Sequence, residues 1–494
     1  YKDYVRAEFN SWAANNPRTD GAVYDLELDG LQVYTTLQPH IQKYAEQSME
    51  RQMAKLQKLM DKNWTNTTTQ GGKQAFIANL MSIQPIVKKM LAEGKTENEI
   101  NQYLQKPEAK KYWEIGKGFE LRQQSVQDSM ISSLVRLHTG ILAMNSRSGA
   151  IMGYLGGIDY GFSQIDNIKG KNQVGSTFKP ITYLTALEQG VDPCTFYDNF
   201  LRKYSKYEDW QPKNSNGSYG GSYSLHGALA NSVNTVSAAL QLQVGVPNTI
   251  KKAIKMGITS DIPEVPSIVL GTAPISLMEM VTAYASISNG GSLVKPYMIQ
   301  KITDQKGTVL YQAKPKYEAK VASRQSVKKL QQMMEEVLTN GTGAGFSNYG
   351  IPYNIIGKTG TTQNNGDGWF IACSPEIVIG SWVGARDKRV HFESTYMGSG
   401  AGTAMPMVAN MFKSLSRWKN PLLTNFEYDQ PYFSCPDYSD IKALEATDYY
   451  KNDSTYMESL RIRDSLLAYP PIKIDSVLVD SLSVQRLLVP AINE

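Results

Sequence analysis

Between residues 139 and about 415, short apolar segments typical of strands alternate with helical patterns, and glycine-rich turns separate them. Two of these apolar runs flank the segment Asn145-Ser146-Arg147-Ser148-Gly149, an arrangement that predicts a β-hairpin. Hydrophobic residues make up 41% of the 494-residue chain and charged residues 20%, as in an ordinary folded protein. The pattern therefore predicts a folded region that contains both helices and strands.

The segments before and after this region differ from it in composition. "GLQVYTTL" alternates like a strand and leads into a helix with an apolar face formed by Ile41, Tyr44, Ala45, Met49, Leu56 and Met60. Residues 61 to about 120 look inserted, because the polar loop "NWTNTTTQGGK" precedes Lys-, Glu- and Gln-rich segments that we expect to be helical. "SVQDSMISSLVRL" predicts another helix. Weak periodicity after Trp418 predicts that residues 420–494 form a poorly packed tail or a small appendage.

Charge, cysteine and histidine content exclude several classes of protein. The formal net charge of +5 suits an anionic cell-wall or membrane-surface partner, but an ordinary soluble surface explains it better, and no basic stripe indicates nucleic acid. Cys194, Cys373 and Cys435 are widely spaced and odd in number, so we expect neither a disulfide framework nor a zinc site. The four histidines have no metal-ligand spacing. No apolar run approaches the roughly 20 residues of a membrane-spanning helix.

Ser176 and Lys179 lie three residues apart in "NQVGSTFKPITYL", at the start of an apolar helical pattern that ends near Gly190. Residues at this spacing share one helix face, and the positive end of the helix dipole favours negative charge that develops there. A serine hydroxyl needs an adjacent base, and a lysine serves only when burial or a second cation lowers its pKa. Ser292–Lys295 and Ser326–Lys329 have the same spacing. This motif alone is therefore weak.

Two further motifs follow in the chain. "ALANSVNTVSAAL" contains Ser232 and Asn234 between two apolar helical stretches, where they could simply cap a helix. "YNIIGKTGTTQNNGDGWFIAC" contains the segment Lys358-Thr359-Gly360-Thr361 at the end of a β-branched strand, with a second strand after the turn. At that position Lys358 could be a charged residue that keeps an edge strand from pairing with another chain. Each motif alone is compatible with a structural role.

The ordered set of the three motifs is much more specific. Ser-x-x-Lys, Ser-x-Asn and Lys-Thr-Gly in this chain order are typical of penicillin-binding proteins and β-lactamases. Residues 30 to 410 resemble the transpeptidase half of a class A penicillin-binding protein, and "LQVYTTLQPHIQKYAEQSM" is similar to the segment that follows the glycosyltransferase domain in those bifunctional enzymes. "DWQPKNSNGSYGGSYSLHGALANSVNTV" and "PSIVLGTAPISLMEMVTAYASISNGG" are similar to family blocks in the same order.

The resemblance implies an α/β fold of the penicillin-binding-protein and serine β-lactamase type, an antiparallel sheet covered by helices, with a smaller N-terminal linker domain. We expect a linker region with a helical insertion at 1–138, a transpeptidase domain at 139–418, and a tail at 419–494. The glycosyltransferase motifs and the N-terminal membrane anchor of the family have no counterpart in this sequence, so we expect no glycan-polymerising activity. The implied location is the extracytoplasmic face of the cytoplasmic membrane, or the periplasm in an envelope with an outer membrane.

The implied reaction is acyl transfer from the D-Ala-D-Ala end of a peptidoglycan stem peptide, inhibited by β-lactams. Ser176 is the expected nucleophile and Lys179 its base, while Ser232 relays a proton and Lys358 lowers the pKa of Lys179 and attracts the substrate carboxylate. Asn234, Thr359, Gly360 and Thr361 are expected to bind substrate. The backbone N–H groups of Ser176 and Thr361 are expected to form the oxyanion hole. No metal or organic cofactor is implied, and further partners would be cell-wall synthesis or envelope proteins.

Three alternatives remain open from the sequence. A serine β-lactamase or a D,D-carboxypeptidase shares the three motifs but transfers the acyl group to water. A penicillin-sensing or scaffold module binds at the same site without turnover, and a monofunctional penicillin-binding protein lacks a glycosyltransferase. Class A β-lactamases use a glutamate in an E-x-x-L-N stretch as a second base. The nearest stretch here is "EEVLTN", with an extra Thr339, where we expect Glu335 and Glu336 to face solvent.

Overall fold

A computed structural model describes residues 1–66, 77–79, 81–315, 317–417, 420–428, 431–435 and 439–440. In these ranges the main helices are α1 (Lys2–Asn15), α2 (Pro39–Asn66), α3 (Pro85–Ala92), α4 (Glu97–Gln105), α5 (Val126–Leu134), α6 (Lys179–Glu188), α7 (Leu225–Ala230), α8 (Asn234–Val244), α9 (Val246–Lys255), α10 (Leu277–Ser288), α11 (Arg324–Thr339), α12 (Thr395–Gly398) and α13 (Met405–Ser416).

The strands, in chain order, are β1 (Gln32–Thr35), β2 (Pro107–Glu114), β3 (Gly118–Ser125), β4 (Leu137–Asn145), β5 (Ile151–Leu155), β6 (Lys171–Gln173), β7 (Phe196–Asp198), β8 (Ser222–Ser224), β9 (Pro274–Ser276), β10 (Ser292–Val294), β11 (Ile299–Thr303), β12 (Val309–Gln312), β13 (Tyr317–Lys320), β14 (Ile356–Thr361), β15 (Asp367–Cys373), β16 (Ile377–Ala385) and β17 (Ser439–Asp440).

The central sheet is antiparallel and has the strand order β14-β15-β16-β4-β5. Its β4–β5 pair is the hairpin that the sequence predicts around residues 145–149. Strands β15 and β16 are buried along their whole length, which agrees with their near-continuous apolar sequences. The fold is therefore the mixed α/β fold with an antiparallel sheet and covering helices that the motifs implied.

Helices cover both faces of this sheet. A Cβ atom at Gly153 of β5 would touch Ile41 of α2, and a Cβ atom at Gly380 of β16 would touch Val281 and Leu277 of α10. Gly153 and Ile379 both pair with Ala143, so Gly153 and Gly380 point to opposite faces. Helix α13 packs with α2, and the sheet is enclosed between that pair and α10.

The predicted helix after residue 39 is confirmed as α2, since Ile41, Ala45, Met49, Leu56 and Met60 are all buried against the core. The predicted strand before it is β1, which pairs with β11 rather than with the central sheet. Helix α5 is confirmed as well. Among the described residues, no helix is both long enough and apolar enough to cross a membrane.

The expectation of helices throughout the segment 61–120 is wrong in its second half. Helices α3 and α4 form, but residues 107–125 fold into the β2–β3 hairpin. Gly116 and Gly118 both have φ of +78° at its turn, and this favours a hairpin over a helix. Trp113 of β2 is buried and stacks 4.8 Å from Phe162, while most of the Lys, Glu and Gln side chains face solvent. Residues 63–66 of the predicted polar loop belong instead to the end of α2, and residues 67–73 of that loop lie outside the described residues.

A disulfide and the packing of residues 420–435 were not expected from the sequence. Cys194 and Cys435 form a disulfide across 241 residues, a pairing that their spacing does not reveal. The segment 420–435 is not loosely packed in its described part, since Leu423 and Phe426 are buried against the domain. Residues 441–494 of the predicted tail lie outside the described residues.

The same segment covers part of α11, so Glu335 and Glu336 are half-buried rather than freely solvated. Lys328 donates a hydrogen bond of 2.7 Å to the carbonyl of Glu427, and Gln332 exchanges hydrogen bonds with the backbone of Tyr432 and Phe433. Burial raises the pKa of Glu335. The sequence of α11 shows its amphipathic pattern but not the chain that lies over it.

Candidate active site

Ser176 lies in a 3₁₀ turn, Gly175–Phe178, which continues directly into α6. Pro180 occupies the first turn of α6, where its missing N–H leaves no hydrogen bond unmade. Ser176 is half-buried, whereas Lys179 has no exposed surface. The predicted helix start is thus confirmed, with the hydroxyl at its accessible end and the amine one turn further, inside the protein.

Two glycines make the close packing around Ser176 possible. Gly175 has φ of +55°, and a Cβ atom there would lie 2.8 Å from the oxygen and 3.0 Å from the nitrogen of Thr361. Gly271 has φ of +72°, and its Cβ atom would lie 2.0 Å from the oxygen of Gly175. The N–H of Gly175 donates to the carbonyl of Gly271 at 3.1 Å. Nothing in the sequence motifs indicates this role of Gly271, although the residue lies in the block "PSIVLGTAP".

The amine of Lys179 contacts both residues of the second motif. Its Nζ lies 2.7 Å from the carbonyl oxygen of Ser232, 3.1 Å from Ser232 Oγ and 2.7 Å from Asn234 Oδ1. Two carbonyl-type oxygens can only accept, so they take two N–H groups, while the hydroxyl can either accept or donate. The contacts accommodate an ammonium with three N–H groups, and they also accommodate a neutral amine whose lone pair faces the hydroxyl.

The electrostatics of the site favour that neutral form. Burial, and secondly the charge of Lys358, hold the pKa of Lys179 well below its usual value. Burial also lowers the pKa of Lys358, to about 7. Lys358 makes a 3.3 Å hydrogen bond to the carbonyl of Thr359, and no other partner for its amine is found in the described part of the chain. A buried ammonium with so few partners would gain from a nearby anion.

The segment around Ser232 is not a simple helix cap. Val233 is the N-cap residue of α8, and no side chain makes a capping hydrogen bond there. The alternative that Ser232 and Asn234 simply cap a helix is therefore wrong. Ser232 has φ of +56°, a conformation that costs energy for a residue other than glycine. This backbone turn directs both the carbonyl and the hydroxyl of Ser232 to Lys179.

The third motif forms strand β14, at the edge of the central sheet beside the Ser176 turn. Lys358 has no exposed surface, so the alternative that it guards the sheet edge is wrong. The Thr359 hydroxyl lies 2.6 Å from Thr342 Oγ1, and the Thr361 hydroxyl accepts the N–H of Gly400 at 3.1 Å. A Cβ atom at Gly360 would lie 2.7 Å from the carbonyl of Val174, so glycine allows the strand to approach the nucleophile turn.

Asn214 supports the site although it belongs to none of the three motifs. Asn214 Oδ1 accepts the backbone N–H groups of Asn234 and Thr235 at 2.8 and 3.2 Å, and its Nδ2 donates to Asn199 Oδ1 at 2.7 Å. The Asn234 side chain in turn donates to the carbonyl of Lys213 at 2.7 Å. Asn214 thus fixes the start of α8, and its only sequence signal is its position in the polar block "QPKNSNG".

The other two Ser-x-x-Lys pairs lie elsewhere. Ser292 is in β10 and Lys295 is exposed after it. Ser326 and Lys329 are in α11, where the Ser326 N–H bonds to the N-cap residue Ser323. Neither lysine contacts the Ser176 site. In the described ranges, no three His, Cys, Asp or Glu side chains are arranged to hold a metal ion.

Comparison with known proteins shows the family of the region that contains this site. Residues 139–384 match the family described as penicillin binding protein transpeptidase domain. The chain carries a penicillin-binding protein transpeptidase domain. The family predicted from the three motifs is thereby confirmed, and the matched range contains every residue of the expected active site.

Curated relatives include penicillin-binding protein 1A of Aquifex aeolicus, 32% identical over 285 residues, and penicillin-binding protein 2D of Bacillus subtilis, 32% identical over 298 residues. The matches cover 57% of this chain but 38% and 42% of those proteins. The crystal structure of penicillin-binding protein 1A from Haemophilus influenzae has a TM-score of 0.63 with 21% identity, over 86% of this chain and 72% of that one. This structural similarity shows that the two proteins share a fold.

Proposed function

We propose that this penicillin-binding protein domain is a D,D-transpeptidase that cross-links peptidoglycan stem peptides through an acyl-serine. The observation that carries the proposal is the setting of Lys179, a buried amine with a lowered pKa that contacts Ser232 and Asn234 and lies one turn from a half-exposed serine. A lysine on the surface needs neither burial nor a lowered pKa, whereas a lysine that acts as a base requires a lowered pKa.

In the acylation step, the lone pair of Lys179 takes the proton of Ser176 as Oγ attacks the carbonyl carbon of the penultimate D-alanine. The oxyanion would be stabilised by the backbone N–H groups of Ser176 and Thr361, and the close approach of Gly175 to Thr361 supports this pairing. The proton returns through Lys179 and Ser232 to the nitrogen of the leaving D-alanine as the peptide bond breaks. The 3.1 Å contact between Lys179 and Ser232 supports that relay.

In the second step, an amine of a neighbouring stem peptide attacks the ester carbonyl and Lys179 takes a proton from that amine. Lys179 then gives the proton to Ser176 Oγ as the bond between Oγ and the acyl carbon breaks. Lys358 attracts the substrate carboxylate, and its sparsely hydrogen-bonded ammonium supports this role. Asn234, Thr359, Gly360 and Thr361 bind the substrate backbone and carboxylate. The accompanying proposals are that β-lactams acylate Ser176 and that the domain works on the extracytoplasmic side of the membrane.

We expect acylation by a penicillin to be fastest near neutral pH and to slow as the pH rises above about 7. Lys358 loses its proton in that range, since its pKa is about 7, and it then no longer attracts the carboxylate. Burial and the charge of Lys358 hold the pKa of Lys179 well below its usual value, so this base is neutral at pH values at which a surface lysine is charged. The second-order acylation rate measured against pH tests this. A penicillin methyl ester has no carboxylate to attract and should show no alkaline limb, and an equal limb for both compounds would contradict the role of Lys358.

The transfer itself is tested with a stem pentapeptide that ends in D-Ala-D-Ala and an amine acceptor. We expect D-alanine release to depend on Ser176 and most of the acyl product to be the amide when acceptor is present. The Ser176→Ala variant is the control. Release of D-alanine with hydrolysis alone, at every acceptor concentration, would identify a carboxypeptidase instead.

A further inference from the structure

Thr342 lies in the turn that follows α11 and belongs to none of the three motifs, yet its side chain reaches the third one. Its Oγ1 is 2.6 Å from the hydroxyl oxygen of Thr359 in β14. Thr342 is exposed, whereas Thr359 is buried. Within the described ranges, Thr342 supplies the one side-chain hydrogen bond of the Thr359 hydroxyl.

Backbone contacts on two sides fix the position of Thr342. Its N–H donates to the carbonyl of Ala230, the last residue of α7, at 3.0 Å. The preceding Gly341 donates its N–H to the carbonyl of Glu336 in α11 at 2.9 Å, and a Cβ atom at Gly341 would lie 2.2 Å from the oxygen of Ala230. Because Ser232 follows Ala230 by two residues, this turn joins the segment of the second motif to the strand of the third.

The hydrogen bond between the two hydroxyl groups can run in either direction in the free protein. A threonine hydroxyl has a single O–H, and a carboxylate can only accept hydrogen bonds. When Thr359 donates its O–H to a carboxylate, it can therefore only accept from Thr342. A bound carboxylate thus selects the arrangement in which Thr342 donates to Thr359 and Thr359 donates to the ligand.

We propose that Thr342 is a positioning residue for the carboxylate of the substrate and that it acts through Thr359. This inference rests on the proposed function, in which Thr359 binds the terminal carboxylate of the stem peptide. The hydrogen bond from Thr342 holds the Thr359 hydroxyl with its O–H directed to the carboxylate. It also strengthens the contact with the carboxylate, because successive hydrogen bonds in a chain polarise one another.

The Thr342→Val variant removes the hydroxyl and keeps the shape of the side chain. We expect the second-order rate of acylation by benzylpenicillin to fall about fivefold, the effect of losing one hydrogen bond between neutral groups. The methyl ester of the same penicillin has no carboxylate, so it should react at equal rates with Thr342→Val and with the unaltered protein. An unchanged rate with the ester also shows that the site of the variant is intact.

Thr342→Ser keeps the hydroxyl and should restore most of the rate with benzylpenicillin. The matched control is Thr339→Val, because Thr339 is an exposed threonine at the end of α11 whose hydroxyl bonds only within that helix in the described part of the chain. This variant should react like the unaltered protein with both compounds.

A double variant separates an action through Thr359 from direct binding of the carboxylate by Thr342. If Thr342 acts through the Thr359 hydroxyl, adding Thr342→Val to Thr359→Val should cause no further loss of rate. A further loss in the double variant would overturn the positioning role.

Three other results would also overturn it: an unchanged rate of Thr342→Val with benzylpenicillin, equal losses with the acid and the ester, or no recovery in Thr342→Ser. The proposed function is judged separately, on the unaltered protein. Absence of labelling of Ser176 there would contradict the proposed function and, with it, this role of Thr342. Normal labelling there, with any of the results above, would contradict the role of Thr342 alone.

Discussion

Replacing Lys179 by alanine should lower the rate of acylation by a fluorescent penicillin on the order of 10³-fold, the size of effect expected from losing a positioned base. The reason is that Lys179, a buried amine with a lowered pKa, is the group that we propose accepts the proton of Ser176. The rate is followed by fluorescence of the labelled protein at several penicillin concentrations. Thermal unfolding of each variant shows that the protein is folded.

Lys295→Ala and Lys329→Ala are the matched controls, because both lysines follow a serine at the same spacing as Lys179. Lys295 is exposed after β10 and Lys329 lies on α11, so neither should change the rate. Comparable losses in all three variants would mean that the base has been assigned to the wrong residue.

Gly271→Ala should reduce acylation by about 10²-fold, since displacement of a catalytic group by a fraction of an ångström to one ångström has effects of this size. The new Cβ would lie 2.0 Å from the oxygen and 2.3 Å from the nitrogen of Gly175, so the turn that holds Ser176 must move. The residue does not touch the reacting atoms, and its effect would come entirely through the position of Ser176.

Gly350→Ala is the control for the backbone conformation itself. Gly350 has φ of +63°, close to the +72° of Gly271, but a Cβ atom there meets no atom within 4 Å. In both variants the new alanine must adopt the left-handed backbone conformation, which costs about 1 kcal/mol of stability. A similar loss of acylation in both would show that backbone strain, and not crowding of the nucleophile turn, is responsible.

The sequence predicts the local structure of the motif residues well because that structure depends on neighbouring residues. The motif predicts that Ser176 and Lys179 lie on one helix face. The 3₁₀ turn that continues into α6 places them one turn apart. The apolar periodicity of α2 and the long runs of β15 and β16 likewise follow from local pattern. These features depend on neighbours within a few residues, which a sequence displays directly.

The features that the sequence did not predict depend mostly on contacts between distant segments. Gly271 matters because it meets Gly175, and Asn214 matters because it meets the start of α8. The disulfide between Cys194 and Cys435, and the burial of α11 by residues 420–435, are long-range contacts of the same kind. The β2–β3 hairpin was missed for a different reason, since its solvent-facing Lys, Glu and Gln residues also suit a helix.

The fate of a penicillin adduct also follows from the neighbours of Lys179. In the described part of the chain its hydrogen bonds go to Ser232 and Asn234, and the charge that shifts its pKa is the cation Lys358. No carboxylate is among these described partners of Lys179. Glu335 lies on α11 beside Tyr428. Because none of these described partners of Lys179 is a carboxylate that could activate water as a second base, the acyl-serine should persist for many minutes, which corresponds to a barrier above roughly 20 kcal/mol.

An intact-mass time course with benzylpenicillin, followed by peptide mapping, tests the central claim most directly. We expect one adduct, on the peptide that contains Ser176, that remains through the time course and is absent from Ser176→Ala. Rapid return to the unmodified mass would indicate a β-lactamase, and an adduct on any other peptide would contradict the assignment of Ser176 as the nucleophile.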